Sequence, residues 1–249
     1  MKVAFQGVPG AYSELCIFEY FGKLGKTVSP MPCPSFDEAF EALLQEKADL
    51  AMMPIENSLG GTIHRNMDLL LRCPVHVIGE HNFRVRHCLL ALPGSEKSDI
   101  KTVISHPQAL AQCEIYIREH LGAVARSEAD TAGSAEMIQQ QQLKGYAAVA
   151  SSLAAKVYGL KILDEGIEDE SANYTRFLCL QRLPKAVPKP PASDIPMKTS
   201  IVFCLNGARM PGKLFKALST FALRDISVAK IESRPMKNIE NIIKEARPP

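Results

Sequence analysis

Residues 1–183 alternate short apolar runs with stretches of helical period, and this alternation constrains the fold more than any other feature of the chain. KVAFQG reads as a strand, and YSELCIFEYFGKLG as a helix reached through a turn holding Gly7, Pro9 and Gly10. TVSPMPC is a weak, proline-interrupted strand. Ser35, with Glu38 three residues on, forms a capping box ahead of AFEALLQEK. DLAMMPIEN is a strand running into a glycine-rich turn, and TIHRNMDLLLR is a helix. Successive β-α units of this kind predict an α/β layer with a largely parallel sheet.

From His76 the rhythm changes. HVIGEHNFRV and HCLLALPG read as two long strands in succession. Alternation then resumes: KTVIS strand, HPQALAQCEIYIREHL helix, AVARS strand, DTAGSAEMIQQQQ helix, YAAVAS strand, SLAAKVYG helix, LKILDEG strand and finally TRFLCLQR strand. Two α/β lobes are expected, one of residues 1–80 with 165–183 and one of 81–164, joined by extended crossings. Ligand sites in such sheets gather beyond the carboxyl ends of the strands. The loops after Gln6, Ile55, Ile104 and Ser127 are therefore the candidates.

Residues 184–197 begin with PKAVPKPPASDIP, a proline-dense run without apolar period that reads as a stiff linker. Beyond it, KTSIVFCL and ISVAKIESRP read as strands around the helix PGKLFKALSTFAL, a single β-α-β unit within residues 198–249.

Composition removes several function classes. The net charge of +2 comes from scattered basic residues, and with no Trp and 6% aromatics there is no platform for nucleic acid. No apolar run reaches the ~20 residues of a membrane span, and Met1 leads directly into a strand, so neither a membrane partner nor a signal or transit segment is expected. The cysteines at 16, 33, 73, 88, 113, 179 and 204 include no C-x-x-C pair and read as buried thiols. His76, His81 and His87 lack metal-ligand spacing, so neither a metal nor another cofactor is expected.

Chemistry gathers at four polar helix starts. In Pro54-Ile55-Glu56-Asn57-Ser58-Leu59-Gly60-Gly61-Thr62 an apolar strand delivers a carboxylate, an amide and a hydroxyl into a loop where glycines permit close backbone approach. Thr62 heads the following helix, whose free N–H groups favour a carboxylate. A polar turn with a helix cap explains the same residues without a ligand. Ser105 as N-cap and Gln108 three residues on make another capping box, with Gln112 one turn further on the same face. DTAGSAE and GVPGAYSE are the remaining two starts. In Asn173-Tyr174-Thr175-Arg176-Phe177, Thr175 and Phe177 share one strand face and Arg176 takes the other. Asn173-Tyr174-Thr175 also matches a glycosylation sequon, discounted for want of secretory context. No Ser-His-Asp order, Walker loop or G-x-G-x-x-G is present.

Together GVPGAYSE, PIENSLGGTIHRNMDLLL, HCLLALPG, ISHPQALAQCE, DTAGSAE and NYTRF resemble, in order and spacing, the prephenate dehydratases, with greatest similarity to the plant-type arogenate dehydratases. SIVFCL and KIESRP resemble the ACT regulatory domain attached to them. The resemblance implies a two-lobed catalytic domain like the type II periplasmic binding proteins, followed by a partial, ferredoxin-like α+β ACT domain, since the chain ends after one β-α-β. It implies loss of carbon dioxide and water from arogenate, prephenate or both, giving phenylalanine or phenylpyruvate. Thr175 and Glu56 are the catalytic residues so implied, with Asn57, Ser58, Thr62, Ser105, Gln108, Gln112, Arg176 and Phe177 lining the substrate pocket. Phenylalanine is the implied effector, with Gly212, Leu214, Glu232, Ser233 and Arg234 as its candidate contacts. A homo-oligomer is expected, in the plastid stroma for a plant-type protein whose transit peptide is absent or removed, and in the cytoplasm otherwise. A non-catalytic solute-binding protein would share the lobes, and an amino-acid sensor would share the ACT unit. A dehydratase assay separates both from the enzyme.

Overall fold

A computed structural model describes residues 1–183, 197–203, 205 and 211–234. The chain divides into two compact units, Met1–Ala186 and Val187–Pro249. In chain order the first holds β1 (Lys2–Gln6), α1 (Tyr12–Lys23), β2 (Ser29–Cys33), α2 (Phe36–Leu44), β3 (Leu50–Asn57), β4 (Gly61–Thr62), α3 (His64–Arg72), β5 (Val75–Arg84), β6 (Cys88–Ala91), β7 (Thr102–Ser105), α4 (Pro107–Ala111), a π-helix (Tyr116–Leu121), β8 (Val124–Ser127), α5 (Thr131–Gln141), β9 (Tyr146–Ala150), α6 (Ser152–Tyr158), β10 (Lys161–Glu165) and β11 (Tyr174–Arg182).

These strands form two sheets, ordered β2-β1-β3-β11-β5 and β10-β6-β9-β7-β8, with β4 paired to β3. Each sheet is the centre of one lobe. The first crossing runs through residues 85–87 and the return crossing through 166–173. Both lie a few residues beyond the expected boundaries at 81 and 165, because β5 stays hydrogen-bonded to β11 along its whole length. The pairs β1–β2, β1–β3, β7–β8 and β7–β9 are parallel, whereas β11 lies antiparallel between β3 and β5, and β6 antiparallel to β9 and β10. β6 and β11 each arrive from the opposite lobe and so run against both of their neighbours.

Each sheet is covered on both faces, which explains strands that are apolar on both sides. In the first lobe α2 and α3 cover Ala51, Met53, Ile55, Leu178 and Leu180. On the other face α1 packs over Val3, Phe5, Met52, Phe83 and Phe177. In the second lobe α5 and α6 cover Leu90, Ile104 and Ala148, while α4 and the π-helix cover Leu89, Val103 and Val149. The described cysteines are unpaired thiols, and burial pushes Cys88 up to about 11 and Cys179 up to about 12.

One irregularity in β3 decides what faces the cleft. Phe177 pairs with Pro54 but Arg176 with Glu56, so Ile55 is an unmatched, bulged residue. Pro54, which has no N–H, sits where no ladder donor is needed. The carbonyls at the bulge are satisfied from α3: Asn66 Nδ2 donates to Pro54 O at 2.7 Å, and Ile63 N to Ile55 O at 2.8 Å. The extra residue inverts the strand's parity. Asn57 therefore comes opposite Thr175, and Glu56 opposite Arg176.

In the second unit α7 (Lys213–Ala222) is the helix expected there, begun by Gly212 in the left-handed region. KTSIVFCL and ISVAKIESRP were expected as strands. No strand occurs among their described residues, and Phe215, Leu223, Ile226, Val228 and Ile231 are exposed. A strand needs a partner for its ladder, and a lone β-α-β unit offers few. Of the linker expected at 184–197, residues 184–196 lie outside the described residues.

Asn66→Ala should lower urea-unfolding stability by about 1–2 kcal/mol, the scale of a buried side-chain bond to a backbone carbonyl. Asn66→Asp, which removes the donor and buries a carboxylate, should lower it further.

Candidate active site

β11 carries Thr175 at its first turn inward from the crossing, 9% exposed, on the same face as Phe177. Across the ladder Asn57 extends its amide over three acceptors. Its Nδ2 reaches Asn173 Oδ1 at 2.8 Å, Thr175 Oγ1 at 3.0 Å and the Tyr174 carbonyl at 3.1 Å. Asn57 Oδ1 accepts from the backbone N–H groups of Gly60 (2.8 Å) and Leu59 (3.1 Å). The Thr175 oxygen thus acts as an acceptor toward Asn57, and its proton has no acceptor among the described residues.

From Asn173, fully buried, the hydrogen bonds continue into the second lobe. Asn173 Nδ2 donates to Gln112 Oε1 at 3.0 Å, and the same oxygen lies 2.8 Å from His87 Nε2. The Tyr12 hydroxyl meets His87 Nδ1 at 2.6 Å. His87 comes from the first crossing and Asn173 from the second. Burial lowers the His87 pKa from 6.5, opposed by the Gln112 bond and the Glu168 charge. Burial likewise raises that of Tyr12 well above 10. Both stay neutral near pH 7.

Gln112 is available because its helix breaks there. The sequence predicts one helix from His106 to Leu121, but α4 stops at Ala111 and a π-helix begins at Tyr116. Asp169, on the second crossing, replaces the helical bond between Gln112 and Tyr116. Its N–H donates to Gln112 O at 2.8 Å, and its carboxylate accepts from Ile115 N (3.1 Å) and Tyr116 N (3.4 Å). A group inserted into the ladder breaks a helix in this way.

A cavity of roughly 340 Å³ opens beside this network, lined by Leu59, Gly60, Gln108, Ala111, Gln112, Asp169 and Glu170. Gln108, on α4, and Gln112, just past its end, both line it. The Leu59–Gly60 turn faces it from the first lobe. Gly60 passes so near Gln108 that a Cβ there would overlap the Gln108 amide. At another inter-lobe contact Gly10 (φ +86°) packs on α6, where a Cβ would lie 2.8 Å from Ala154 Cα. Ser151 Oγ donates to Gly10 O there at 2.6 Å.

Several residues expected in the pocket stand elsewhere. Arg176, next to Thr175 on β11, lies on the opposite sheet face by simple alternation, and the Ile55 bulge puts Glu56 on that face with it. There the Arg176 guanidinium pairs with Glu80 (2.7 Å) and Glu56 (3.4 Å). Phe177 is core, packed edge-on against Phe83. Ser105 is no helix cap. It ends β7, fully buried, and donates to Val149 O at 2.7 Å, while His106 takes the N-cap position. Ser58 holds the loop to the strand, accepting from Tyr174 N (2.9 Å) and donating to Ala172 O (2.8 Å). Thr62 belongs to β4, opposite Glu56, not to the head of α3. Thr175 itself is off the cavity wall, with the Asn57 amide standing between it and the Leu59–Gly60 turn. Of the effector candidates, Gly212 and Leu214 are exposed at the start of α7, and Glu232 pairs with Lys230 at 3.7 Å. Among the described residues no three His, Cys, Asp or Glu side chains cluster to hold a metal, and no helix is long and apolar enough to cross a membrane.

Tyr12, His87, Asp169 and Asn173 were not anticipated as site residues. Asn173 was legible as the head of NYTRF and as a sequon, and His87 as the head of HCLLALPG. The signal that could have found His87, Asp169 and Asn173 is their position at the two crossings, whereas Tyr12 begins α1.

Two lobes, two crossings and an amide-lined cleft define a protein of the type II periplasmic-binding architecture. The sequence pattern of the family described as prephenate dehydratase matches residues 3–185. This chain belongs to the prephenate dehydratase family. Arogenate dehydratase 1 of Petunia hybrida is 53% identical over 240 residues, covering 96% of this chain and 54% of that protein. Arogenate dehydratase/prephenate dehydratase 6, chloroplastic, of Arabidopsis thaliana is 51% identical over 240 residues, covering 96% and 55%. The chain thus spans about half the length of the curated relatives it matches. Among solved structures, prephenate dehydratase from Arthrobacter aurescens, in complex with L-Phe, is 28% identical with a TM-score of 0.79, covering 99% of this chain and 84% of that one. GqqA, described as a novel type of quorum quenching acylase, is 32% identical with a TM-score of 0.78, covering 99% and 93%.

Because folding lowers the His87 pKa, the unfolded chain binds the extra proton first as pH falls through 6.5. Stability from this group is therefore fully present above pH 6.5 and is lost below it, down to the lowered folded value. Urea unfolding at about pH 7.5 and about pH 5.5 should show a smaller drop for His87→Gln than for the native chain.

Proposed function

We propose that this chain carries the catalytic centre of an arogenate or prephenate dehydratase serving phenylalanine biosynthesis. The substrate ring bears a carboxylate on one carbon and a hydroxyl on the opposite one. Cleavage of the carbon–carboxylate bond sends its electron pair into the ring, and the carbon–oxygen bond breaks to release hydroxide, which takes a proton to leave as water. The ring becomes aromatic, so most of the driving force resides in the substrate. The protein must supply a donor to the leaving oxygen, hold the acid groups and exclude water.

Thr175 is the proposed donor, although the Asn57 amide separates it from the cavity lining and the leaving oxygen must therefore reach past that amide. The observation that carries the reading is the Asn57 bond to the Thr175 oxygen at 3.0 Å. That bond occupies the hydroxyl as an acceptor and leaves its proton for the departing oxygen. Gln108 and Gln112 offer amide N–H groups to the substrate carboxylates, and closure of the Leu59–Gly60 turn on Gln108 excludes water, leaving the departing carboxylate less solvated. Glu56 and Arg176 are assigned a structural part, holding β3 and β11 in register on the far face. Ser58 and Thr62 shape the loop. No serine, threonine or cysteine stands among the described residues that line the cavity, so the acylase description of GqqA is not extended to this chain.

Arogenate is proposed as the better substrate. Its ammonium leaves it one net negative charge, against two on prephenate. Asp169 and Glu170 put carboxylates on the cavity wall, and Glu170 makes no hydrogen bond or ion pair to the described residues. An ammonium is drawn to such a wall and a second net negative charge is repelled. A plastid location is proposed from the chloroplastic relatives, and phenylalanine as effector from the ligand of the Arthrobacter protein. A homo-oligomer is proposed from the exposed apolar side chains around α7.

Thr175→Ala should lower kcat by roughly 10²-fold or more with a smaller change in KM, and Thr175→Ser should keep much more of it. Near-native kcat in Thr175→Ala would remove this residue from the role. Glu170→Gln should lower the arogenate-to-prephenate ratio of kcat/KM by roughly fivefold, the scale of one solvent-screened charge. An unchanged ratio would sink the charge-based preference.

A further inference from the structure

We propose that His87, which lies off the cavity wall on the first crossing, is a positioning residue that holds the Gln112 carbonyl from behind and so turns the Gln112 amide N–H groups toward the substrate. The inference rests on the proposed dehydratase reading only for its catalytic consequence.

Donor and acceptor roles along the network are forced from one end. Backbone N–H groups cannot accept, so the Asn57 atom facing Leu59 N and Gly60 N is its oxygen. Its nitrogen therefore faces Asn173, whose oxygen must be the partner at 2.8 Å. The Asn173 nitrogen is then directed at Gln112, 3.0 Å away, and Gln112 must present oxygen. That oxygen also faces His87 Nε2 at 2.8 Å, so Nε2 carries the proton. Nδ1 is left bare and accepts from the Tyr12 hydroxyl at 2.6 Å. Each role follows from the previous one, and a single amide flip would place two donors or two acceptors face to face.

The Gln112 carbonyl is thus saturated by two donors, one from each crossing. Its side-chain nitrogen makes no hydrogen bond to the described residues, and Gln112 lines the cavity. Without His87 the carboxamide is held from Asn173 alone and can rotate. Misplacing a group by about 1 Å can cost on the order of 10²-fold in rate.

Two substitutions, each keeping a different one of the two hydrogen bonds, separate positioning from mere packing. In His87→Gln the new carboxamide nitrogen reaches the place of Nε2 and can donate to Gln112. In His87→Asn the carboxamide reaches the place of Nδ1 and can meet Tyr12 only. Both lose one hydrogen bond, and His87→Asn, a methylene smaller, should lose somewhat more stability in urea. Their kcat values should differ by at least about tenfold in favour of His87→Gln. Nitrogen-15 NMR provides a readout free of turnover. Native His87 should show its proton on Nε2. The Gln112 side-chain amide, assigned by its disappearance in Gln112→Met, should give one sharp proton pair in the native protein and His87→Gln, and a broadened, averaged pair in His87→Asn. Equal kcat in the two variants, a native His87 protonated on Nδ1, or an unchanged Gln112 signal in His87→Asn would each overturn the proposal. If the native protein turns over neither arogenate nor prephenate, the dehydratase reading fails, and the NMR comparison still decides the positioning of Gln112.

Discussion

Gln112 has two carbonyl oxygens, and both are taken by groups from the crossings between lobes. The main-chain oxygen accepts Asp169 N–H in place of the helical partner it would otherwise have. The side-chain oxygen accepts from His87 and Asn173. A helix end in the second lobe is thereby fixed to both strands of the hinge, and through Asn173 to Asn57 and Thr175 in the first. The amides of Asn57 and Asn173, the Gln112 carbonyl and the His87 ring are tolerated there because each is paired with another, since an unpaired buried group costs about 1–3 kcal/mol.

The π-helix after α4 follows from the same constraint. Continuing the α-helix would restore the bond from Tyr116 N to Gln112 O and expel Asp169. The crossing would then lose its hold on the second lobe, and the cavity wall at residues 169–170 would move away from Gln112. Backbone irregularity recurs at the other wall, where the Ile55 bulge brings Asn57 onto the face of Thr175. Both departures from regular structure serve one end: polar side chains from separate elements reach one point, with their backbone groups still paired.

Much of the lobe architecture is legible in residue pattern. Strand and helix positions in 1–183 follow from periodicity and capping, with Ser35 accepting Glu38 N–H as its spacing implied. Alternation along β11 correctly separates Thr175 from Arg176. Glu56, implied for the pocket by the family resemblance, stands on the Arg176 face instead, because a bulge is one residue's change in register and leaves no mark on composition. Ser105 fails differently: a serine ahead of a proline-started helix has the pattern of a cap, but a neighbouring strand carbonyl, Val149 O, competes for its hydroxyl.

Local sequence, then, determined what each segment would be: apolar period set the strands and helices, and short polar loops marked the places where a ligand could sit. Tertiary structure alone decided which of those polar groups meet. Residues 12, 57, 87, 112, 173 and 175 come together across six different segments, and hydrogen-bond direction there depends on partners more than twenty residues away at nearly every step. Short-range pattern carries no information about such pairings, because a side chain's donor or acceptor role is assigned only when the chain has folded around it.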